Sequence, residues 1–209
     1  MKTNASALSF FSLPIVIAIL LQACQKGPDE IDISNQKPRV GSKWVYRYTT
    51  YTSMGGFIMS KDLTYRATAM ETLGGEQWLK IVDSATGVTA FYLREKPDGI
   101  YQYINNNSYL MCKTPAAVND TYTGFTATEA ADYTVRSVGE VQAFGVLGNL
   151  TVNYYEGTIT LPLTGTHTAD KLWYNKRVWI AQRYIYTKIG VINPTYYRSA
   201  TLIIQNFIY

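Results

Sequence analysis

Apolar and polar positions alternate along much of the chain after residue 40, with the two-residue period of a β-strand. Trp44, Tyr46 and Tyr48 fall on one face of a predicted strand, and the residues between them fall on the other. Short runs of this kind are separated by turn signals about 8–12 residues apart. Three of these turns are Gly55-Gly56, Leu73-Gly74-Gly75 and Pro97-Asp98-Gly99. No stretch past residue 40 keeps a helical apolar period over three turns, so the pattern predicts an all-β meander, sandwich or barrel.

The composition supports this prediction, because the 18 Tyr, the 4 Trp and the many Thr suit a pleated, half-buried surface. We expect a single β domain over residues 39–209. The segment 115–122 repeats the outline of 36–44: a proline, a spacer, a valine, turn residues and an aromatic strand start. These two short echoes suggest a weak two-part repeat, residues 39–113 and 115–209.

The N-terminal segment has a different pattern. Lys2 is its only early charge, and a mostly apolar run of about 12 residues follows at 10–21, which is the length of a signal-peptide core. A membrane-spanning helix needs about 20 apolar residues. This run is therefore interpreted as part of a cleaved signal peptide.

The run ends in Leu21-Gln22-Ala23-Cys24, which resembles the lipobox of bacterial lipoproteins. Leu21, Ala23 and Cys24 match the lipobox position by position, whereas Gln22 departs from its usual small or β-branched residue. The resemblance implies that the Cys24 thiol receives a diacylglyceryl group, that cleavage removes residues 1–23, and that the new amine is often acylated as well, for instance with palmitate. Residues 24–38 are mostly polar and are predicted to form a flexible tether.

Two details after Cys24 concern location. No Asp follows the cysteine directly, unlike inner-membrane lipoproteins of some enteric bacteria. A lysine followed by acidic residues, interrupted by Gly27-Pro28, resembles the surface-export signal of Bacteroidota lipoproteins. The expected location is the outer membrane, with the periplasmic and cell-surface leaflets both left open.

A second resemblance covers most of the mature chain. The opening Val40-Gly41-Ser42-Lys43-Trp44-Val45-Tyr46, with Trp173-Tyr174 and Ile189-Gly190-Val191-Ile192 near the end, is similar to uncharacterised Bacteroidota-type envelope lipoproteins with a VGxxWxY opening. This resemblance implies a strongly curved antiparallel sheet, either a sandwich or a half-barrel-like meander. It implies no activity.

The charged and metal-binding residues exclude several classes of function. The formal net charge is +4 without runs of Lys or Arg, so no nucleic-acid partner is expected. The densest basic stretch, 171–188, is interpreted as the solvated face of strands. His167, the single histidine, is placed in a turn, and no cluster of metal ligands is found; no metal, cofactor or catalytic residue is predicted. If Cys24 carries lipid, Cys112 has no disulfide partner and is expected to be a small buried apolar residue.

The aromatic residues suggest the leading hypothesis, a non-catalytic envelope lipoprotein that binds a glycan or a partner protein, or acts structurally. Exposed rings could stack on a ligand, and the candidates are Tyr101, Tyr103, Trp173 and Trp179.

Two alternatives stay open. In the first, the curved sheet carries a lipid or an acylated protein in an apolar cavity, with Ala67 and Ala69 leaving space beside Tyr65. In the second, the protein is a hydrolase with paired carboxylates. The candidates for that pair, by residue type alone, are Glu71, Glu76, Glu129, Glu140 and Glu156.

Overall fold

The computed structural model describes residues 37–126, 128–190 and 194–209. The predicted signal peptide, Cys24 and nearly all of the predicted tether lie outside the described residues. In the described part of the chain every strand belongs to one antiparallel sheet, so the all-β prediction is confirmed. None of the described residues form a helix long and apolar enough to cross a membrane.

The sheet contains twelve strands in the order β6-β5-β4-β3-β2-β1-β12-β11-β10-β9-β8-β7. Strands that follow each other in sequence therefore pair, except β6 and β7, which are the two end strands. Because β1 pairs with β12, two six-stranded meanders join into one curved sheet. The strands are β1 Lys43–Tyr51, β2 Phe57–Leu73, β3 Glu76–Asp83, β4 Thr89–Lys96, β5 Gly99–Ile104, β6 Asn107–Lys113, β7 Thr121–Phe125, β8 Ala130–Ala143, β9 Asn149–Leu161, β10 Gly165–Asn175, β11 Trp179–Ile189 and β12 Thr195–Ile208.

The two end strands, β6 and β7, face each other and nearly close the sheet into a barrel-like shape. They are not paired by backbone hydrogen bonds, and side chains connect them instead. Tyr122 Oη donates a hydrogen bond to the Met111 carbonyl at 2.7 Å. The rings of Tyr109 and Phe125 lie 4.7 Å apart across the same seam. A Cβ at Gly124 would lie only 2.6 Å from the Leu110 carbonyl oxygen. Glycine therefore allows the two end strands to approach this closely.

The alternation predicted for β1 is confirmed, because Trp44 and Tyr46 are buried on the inner face of the sheet. Both reach the start of β11. Trp44 Nε1 donates to the carbonyl of Val178, and Tyr46 Oη donates to the carbonyl of Ile180, each at 2.8 Å. The two aromatic residues of the VGxxWxY opening therefore tie the first strand to the eleventh.

The interior is filled unevenly. Around β8, β9 and β10 it is packed with large side chains, of which Tyr133, Val135, Tyr155 and Leu172 are fully or almost fully buried. On the side formed by β2 and β3 the sheet is shorter, because β3 pairs with β2 only from Tyr65 onward. The first part of β2 is paired with β1 alone, and this uneven wall leaves space inside the sheet.

Candidate ligand-binding cavity

A cavity of about 490 Å³ lies inside the sheet at the end where the β1–β2 hairpin projects. This volume is within the range of about 300–1,000 Å³ that is typical of small-molecule sites. Strands from both meanders line it, and the exposed Lys61 stands in its wall at the open end. Its lining residues are mainly apolar or aromatic and include Tyr46, Leu63, Tyr65, Phe91, Ile180 and Leu202.

Three aromatic rings pack together at the inner end of the cavity. The ring centroids of Tyr46 and Tyr65 are 5.9 Å apart, and those of Tyr65 and Phe91 are 5.2 Å apart, both in edge-on arrangements. Below them the interior narrows to a void of about 20 Å³. Ala67 is fully buried two residues beyond Tyr65, so a small side chain does lie on the inner face there. The aromatic cluster gives the cavity a largely apolar floor.

A charged cluster stands in one wall. Arg183 is 7 % exposed and Asp170 is 1 % exposed, and they are joined at two points on neighbouring strands. Arg183 Nε donates to Asp170 Oδ1 at 3.1 Å, and Nη2 donates to Oδ2 at 2.8 Å. Tyr133 Oη donates to Asp170 Oδ2 at 2.7 Å. Gly157 makes room for this cluster, because a Cβ there would lie 2.9 Å from the Tyr133 ring.

The cluster is electrically balanced. Burial acts to lower the pKa of Arg183, but the charge and hydrogen bonds of Asp170, together with Tyr133 and Cys112, outweigh burial, and the pKa lies above its ordinary value. Burial and the neighbouring Asp170 raise the pKa of Tyr133, which stays a hydrogen-bond donor. Arg183 Nη1 has no acceptor among the described residues, and Arg183 lines the cavity. The wall therefore offers a hydrogen-bond donor without a net charge, which suits an oxygen atom of a ligand.

Arg183 corrects one interpretation of the sequence. The basic stretch 171–188 was predicted to be a solvated face of strands, and this is wrong for Arg183, which points inward between Ala181 and Ile185. Charged and aromatic residues occur at both odd and even positions of this stretch. The alternation of residue types therefore does not predict which face of the strand points into the sheet. The only clue in the sequence is Asp170, which alternates with the apolar Leu172 and Tyr174.

The structure does not bring the four predicted stacking residues together. Tyr101 and Tyr103 lie on the outer face of β5, where Lys96 Nζ lies 4.6 Å from the Tyr101 ring and Trp78 packs 5.2 Å from Tyr103. Trp173 lies on the outer face of β10, stacked on Tyr154 with centroids 4.6 Å apart.

Trp179 lines the small void below the aromatic floor of the cavity, is buried, and has a positive φ of 63°. Both indoles are thus buried, and an exposed row of rings does not pass through them. Cross-strand packing accounts for Trp173.

The five candidate glutamates each interact with a local neighbour. Hydrogen bonds from Lys80 and Tyr92 lower the pKa of Glu71, and Lys96 lowers the pKa of Glu76. Glu140 accepts from Ser137 and Gln142, Glu156 from Arg136, and Glu129 from Tyr196. None of the five lines the cavity.

Two further predictions have clear outcomes. Cys112 is a fully buried free thiol, as expected, and burial raises its pKa. His167 was predicted to lie in a turn, which is wrong: it belongs to β10, and its Nε2 is 2.8 Å from Thr164 Oγ1. Pairing of β10 with β9 begins at Gly165, which extends the strand past this residue. Among the described residues there is no group of three or more metal-ligating side chains.

Comparison with known proteins gives two structural matches. The first is the crystal structure of a "putative exported protein with YmcC-like fold" from Bacteroides fragilis, 12% identical, with a TM-score of 0.44, covering 83% of this chain and 98% of that chain. The second is a "putative lipoprotein" from Parabacteroides distasonis, also 12% identical, with a TM-score of 0.43, covering 82% of this chain and 97% of that chain. No protein-family model and no curated protein matches the chain.

Proposed function

We propose that this protein is a non-catalytic envelope lipoprotein, anchored through Cys24, that holds an amphipathic acylated ligand inside its sheet. The single observation that supports this most is the 490 Å³ cavity, whose mainly apolar and aromatic lining includes the buried Arg183 among its few polar residues. An apolar chain would lie against Tyr65 and Phe91, and an oxygen of its polar end would accept from Arg183 Nη1.

The balance of charge narrows the ligand class. Asp170 already neutralises Arg183, and the other two charged residues of the cavity lining, Lys61 and Asp83, have opposite charges. A ligand with a strong net charge gains little from such a wall, whereas the carbonyl oxygen of an ester or amide gains a hydrogen bond. We therefore propose an acyl ester or acyl amide, such as the acylated part of a lipid or lipoprotein.

The carrier role is preferred to glycan stacking because of where the aromatic residues lie. Trp173 is sandwiched between Tyr154 and Tyr184, and Trp179 is inside the sheet. Neither indole has a free face for a sugar ring, whereas the cavity has free volume beside aromatic surface.

The experiment is binding of a fluorescent monoacylglycerol to the purified chain, followed by displacement with unlabelled monoacylglycerol. Leu63→Trp fills part of the cavity and is expected to weaken binding by about tenfold or more, since loss of one buried apolar contact of this size is about 1.5 kcal/mol or more. The matched control is Val141→Trp, an equally large addition at an exposed position on β8.

Equal binding by the two variants would contradict a ligand site in the cavity, and so would an unlabelled trisaccharide that displaces the probe as well as the monoacylglycerol does. Circular dichroism of both variants checks that the sheet is retained.

The anchor has its own test. Cys24→Ser removes the thiol that accepts the lipid, so this variant is expected to lose acylation by mass spectrometry and to leave the membrane fraction. A variant that is still acylated at its N-terminal region and still sediments with membranes would contradict the lipoprotein assignment without affecting the cavity.

A further inference from the structure

Three neighbouring hairpins end at the same level of the sheet. One row of paired residues crosses six adjacent strands and is formed by Gly157, Asp170, Ile185, Ala200, Thr50 and Met59. From this row β9 and β11 continue four residues to Leu161 and Ile189, and β10 and β12 begin five residues before it. The tip of the β1–β2 hairpin lies four to five residues beyond Thr50 and Met59, the members of the row on these two strands. We call the three tips, residues 51–59, 161–165 and 188–190, the apolar rim.

Large apolar side chains of the rim stand in solvent. Met54 is 95% exposed, Leu163 is 79% exposed and Phe57 is 66% exposed. Ile58, Met59 and Ile189 are also exposed. Every one of the three tips therefore presents at least one such side chain at the same level. Several large exposed apolar side chains at one end of a protein are typical of a site that contacts a membrane or a partner.

The hairpin tips and the strand ends that lead into them carry cations but no acidic residue. Residues 48–61, 157–169, 184–190 and 194–200 contain no Asp or Glu. Lys61, Lys188 and Arg198 are exposed among them. The acidic groups next to these residues include Asp62, which follows Lys61 and is ion-paired with Arg47 at 2.6 Å, and Glu129 of the β7–β8 hairpin, which accepts a hydrogen bond from Tyr196 Oη at 2.7 Å. The rim thus combines apolar tips with flanking cations.

Tyrosines form a second layer just below the tips. Tyr51, Tyr186 and Tyr197 are half-buried and lie one to three residues above the paired row. The Arg198 guanidinium lies 4.6 Å from the Tyr51 ring centroid, which keeps the cation close to this layer. Tyrosine is enriched at membrane–water interfaces, where its ring is buried and its hydroxyl is wet.

We infer that the apolar rim docks onto the surface of a phospholipid bilayer that contains anionic lipids. Met54, Phe57, Ile58 and Leu163 enter the acyl boundary, the tyrosines lie at the level of the headgroups, and Lys188 contacts anionic headgroups. This inference depends on the rim alone and does not require the proposed ligand of the cavity.

The order of these layers favours a bilayer over a protein partner. A protein interface needs one complementary shape, whereas the rim consists of separate tips that reach the same level and differ in sequence. Apolar side chains outermost, tyrosines next and cations around them match the order of chemistry at a bilayer surface. The opposite end of the molecule lacks this order: the exposed Val141 follows the exposed Glu140 directly, and Val146 is exposed in the next turn.

The test measures depth in the membrane, because the lipid anchor alone would bring the whole chain to a vesicle. The mature chain carrying Ser53→Cys at the rim, or Val146→Cys at the opposite end, is labelled with bimane; Cys112 is buried and the parent chain supplies the background. Each is reconstituted into vesicles of phosphatidylethanolamine and phosphatidylglycerol with doxyl-labelled acyl chains. The label at position 53 is expected to be quenched strongly and the label at position 146 is not.

Two substitutions separate the contributions. Phe57→Ser is expected to lower the population of the quenched state by about tenfold, as for loss of one large apolar side chain from the membrane. Lys188→Gln is expected to lower it by about fivefold with phosphatidylglycerol and to have no effect in neutral vesicles.

A label at position 53 that stays unquenched would overturn the inference, whether or not the chain is anchored, and equal quenching at both positions would do the same. If the label at position 53 is shielded from water only when other envelope proteins are added, the rim is a protein interface. That result would also overturn the inference of docking onto a bilayer. Neither result would bear on the cavity, which is tested by monoacylglycerol binding.

Discussion

Arg183 and Asp170 form a two-point ion pair inside the sheet, with Nη2 of the arginine 2.8 Å from Oδ2 of the aspartate. The two residues lie thirteen positions apart on the β10–β11 hairpin, and almost no surface of either is exposed. Removing two charges from water is unfavourable unless they compensate each other and are fully hydrogen-bonded. Tyr133 supplies a further donor to the carboxylate, so that the pair is a stable polar element in an otherwise apolar wall.

The first prediction concerns this pair. Asp170→Asn leaves the buried Arg183 guanidinium without a compensating charge and is expected to reduce the free energy of unfolding by about 3–5 kcal/mol. The double variant Asp170→Asn with Arg183→Met is expected to recover much of that loss. Urea unfolding followed by tryptophan fluorescence measures both, and a loss below about 1 kcal/mol for the single variant would contradict a buried, mutually dependent pair.

The second prediction concerns the tie between β1 and β11. Tyr46→Phe removes the hydroxyl that donates to the Ile180 carbonyl and is expected to reduce the free energy of unfolding by about 1 kcal/mol. Tyr48→Phe is the matched control, because the Tyr48 hydroxyl makes no hydrogen bond with the described residues. Its effect is expected to stay within about 0.5 kcal/mol. Equal effects of the two substitutions would show that the hydrogen bond does not stabilise the closed sheet.

The third prediction concerns the seam between β6 and β7. Gly124→Ala places a Cβ 2.6 Å from the Leu110 carbonyl oxygen and 2.9 Å from the Tyr133 ring. The end strands must then separate, and we expect a loss of about 1–3 kcal/mol in the free energy of unfolding, as for other overpacked sites. Thr123→Ala on the same strand, at an exposed position, is the control. Faster hydrogen exchange of β6 and β7 in the glycine variant alone would identify the seam as the affected region.

The fourth prediction concerns alkaline pH. Burial and the hydrogen bond to Glu129 raise the pKa of Tyr196 to about 12, and burial raises the pKa of Tyr46 and Tyr133 above the ordinary value. In the unfolded chain tyrosine ionises at about pH 10. Between about pH 10 and 12 the unfolded state therefore loses protons that the folded state retains. The free energy of unfolding is expected to be unaffected by these tyrosines below about pH 10 and to fall above it.

Urea unfolding at increasing pH checks this, with the absorbance of tyrosinate recorded alongside. Tyrosines that ionise near pH 10 without any loss of stability would contradict their burial.

The sequence was sufficient for the strands but not for the cavity. Alternation at Trp44 and Tyr46 predicted an inner face because each strand is a local pattern, and the turns at Gly55 and Gly74 have clear signals. The pairing of β1 with β12 is a contact between the two ends of the described chain, and no local pattern encodes it. Closure of the sheet, and hence an enclosed volume, depends on that pairing.

The buried charges were missed for a related reason. The solvated interpretation of residues 171–188 treated all basic residues alike, whereas Arg183 is inside because its guanidinium is paired with the buried carboxylate of Asp170 on the neighbouring strand. The indoles show the opposite case: residue type makes Trp173 and Trp179 candidates for stacking on a ligand, but in the folded chain their neighbours bury them. In both cases the decisive information is the set of cross-strand neighbours.

The most direct test of the proposed function is a crystal structure of the protein soaked with a monoacylglycerol whose acyl chain carries bromine at its end. The account predicts an anomalous bromine peak inside the cavity beside Tyr65 and Phe91, with the ester carbonyl oxygen within hydrogen-bond distance of Arg183 Nη1. Bromine peaks confined to the outer faces of the sheet, with the cavity occupied by ordered water, would contradict it.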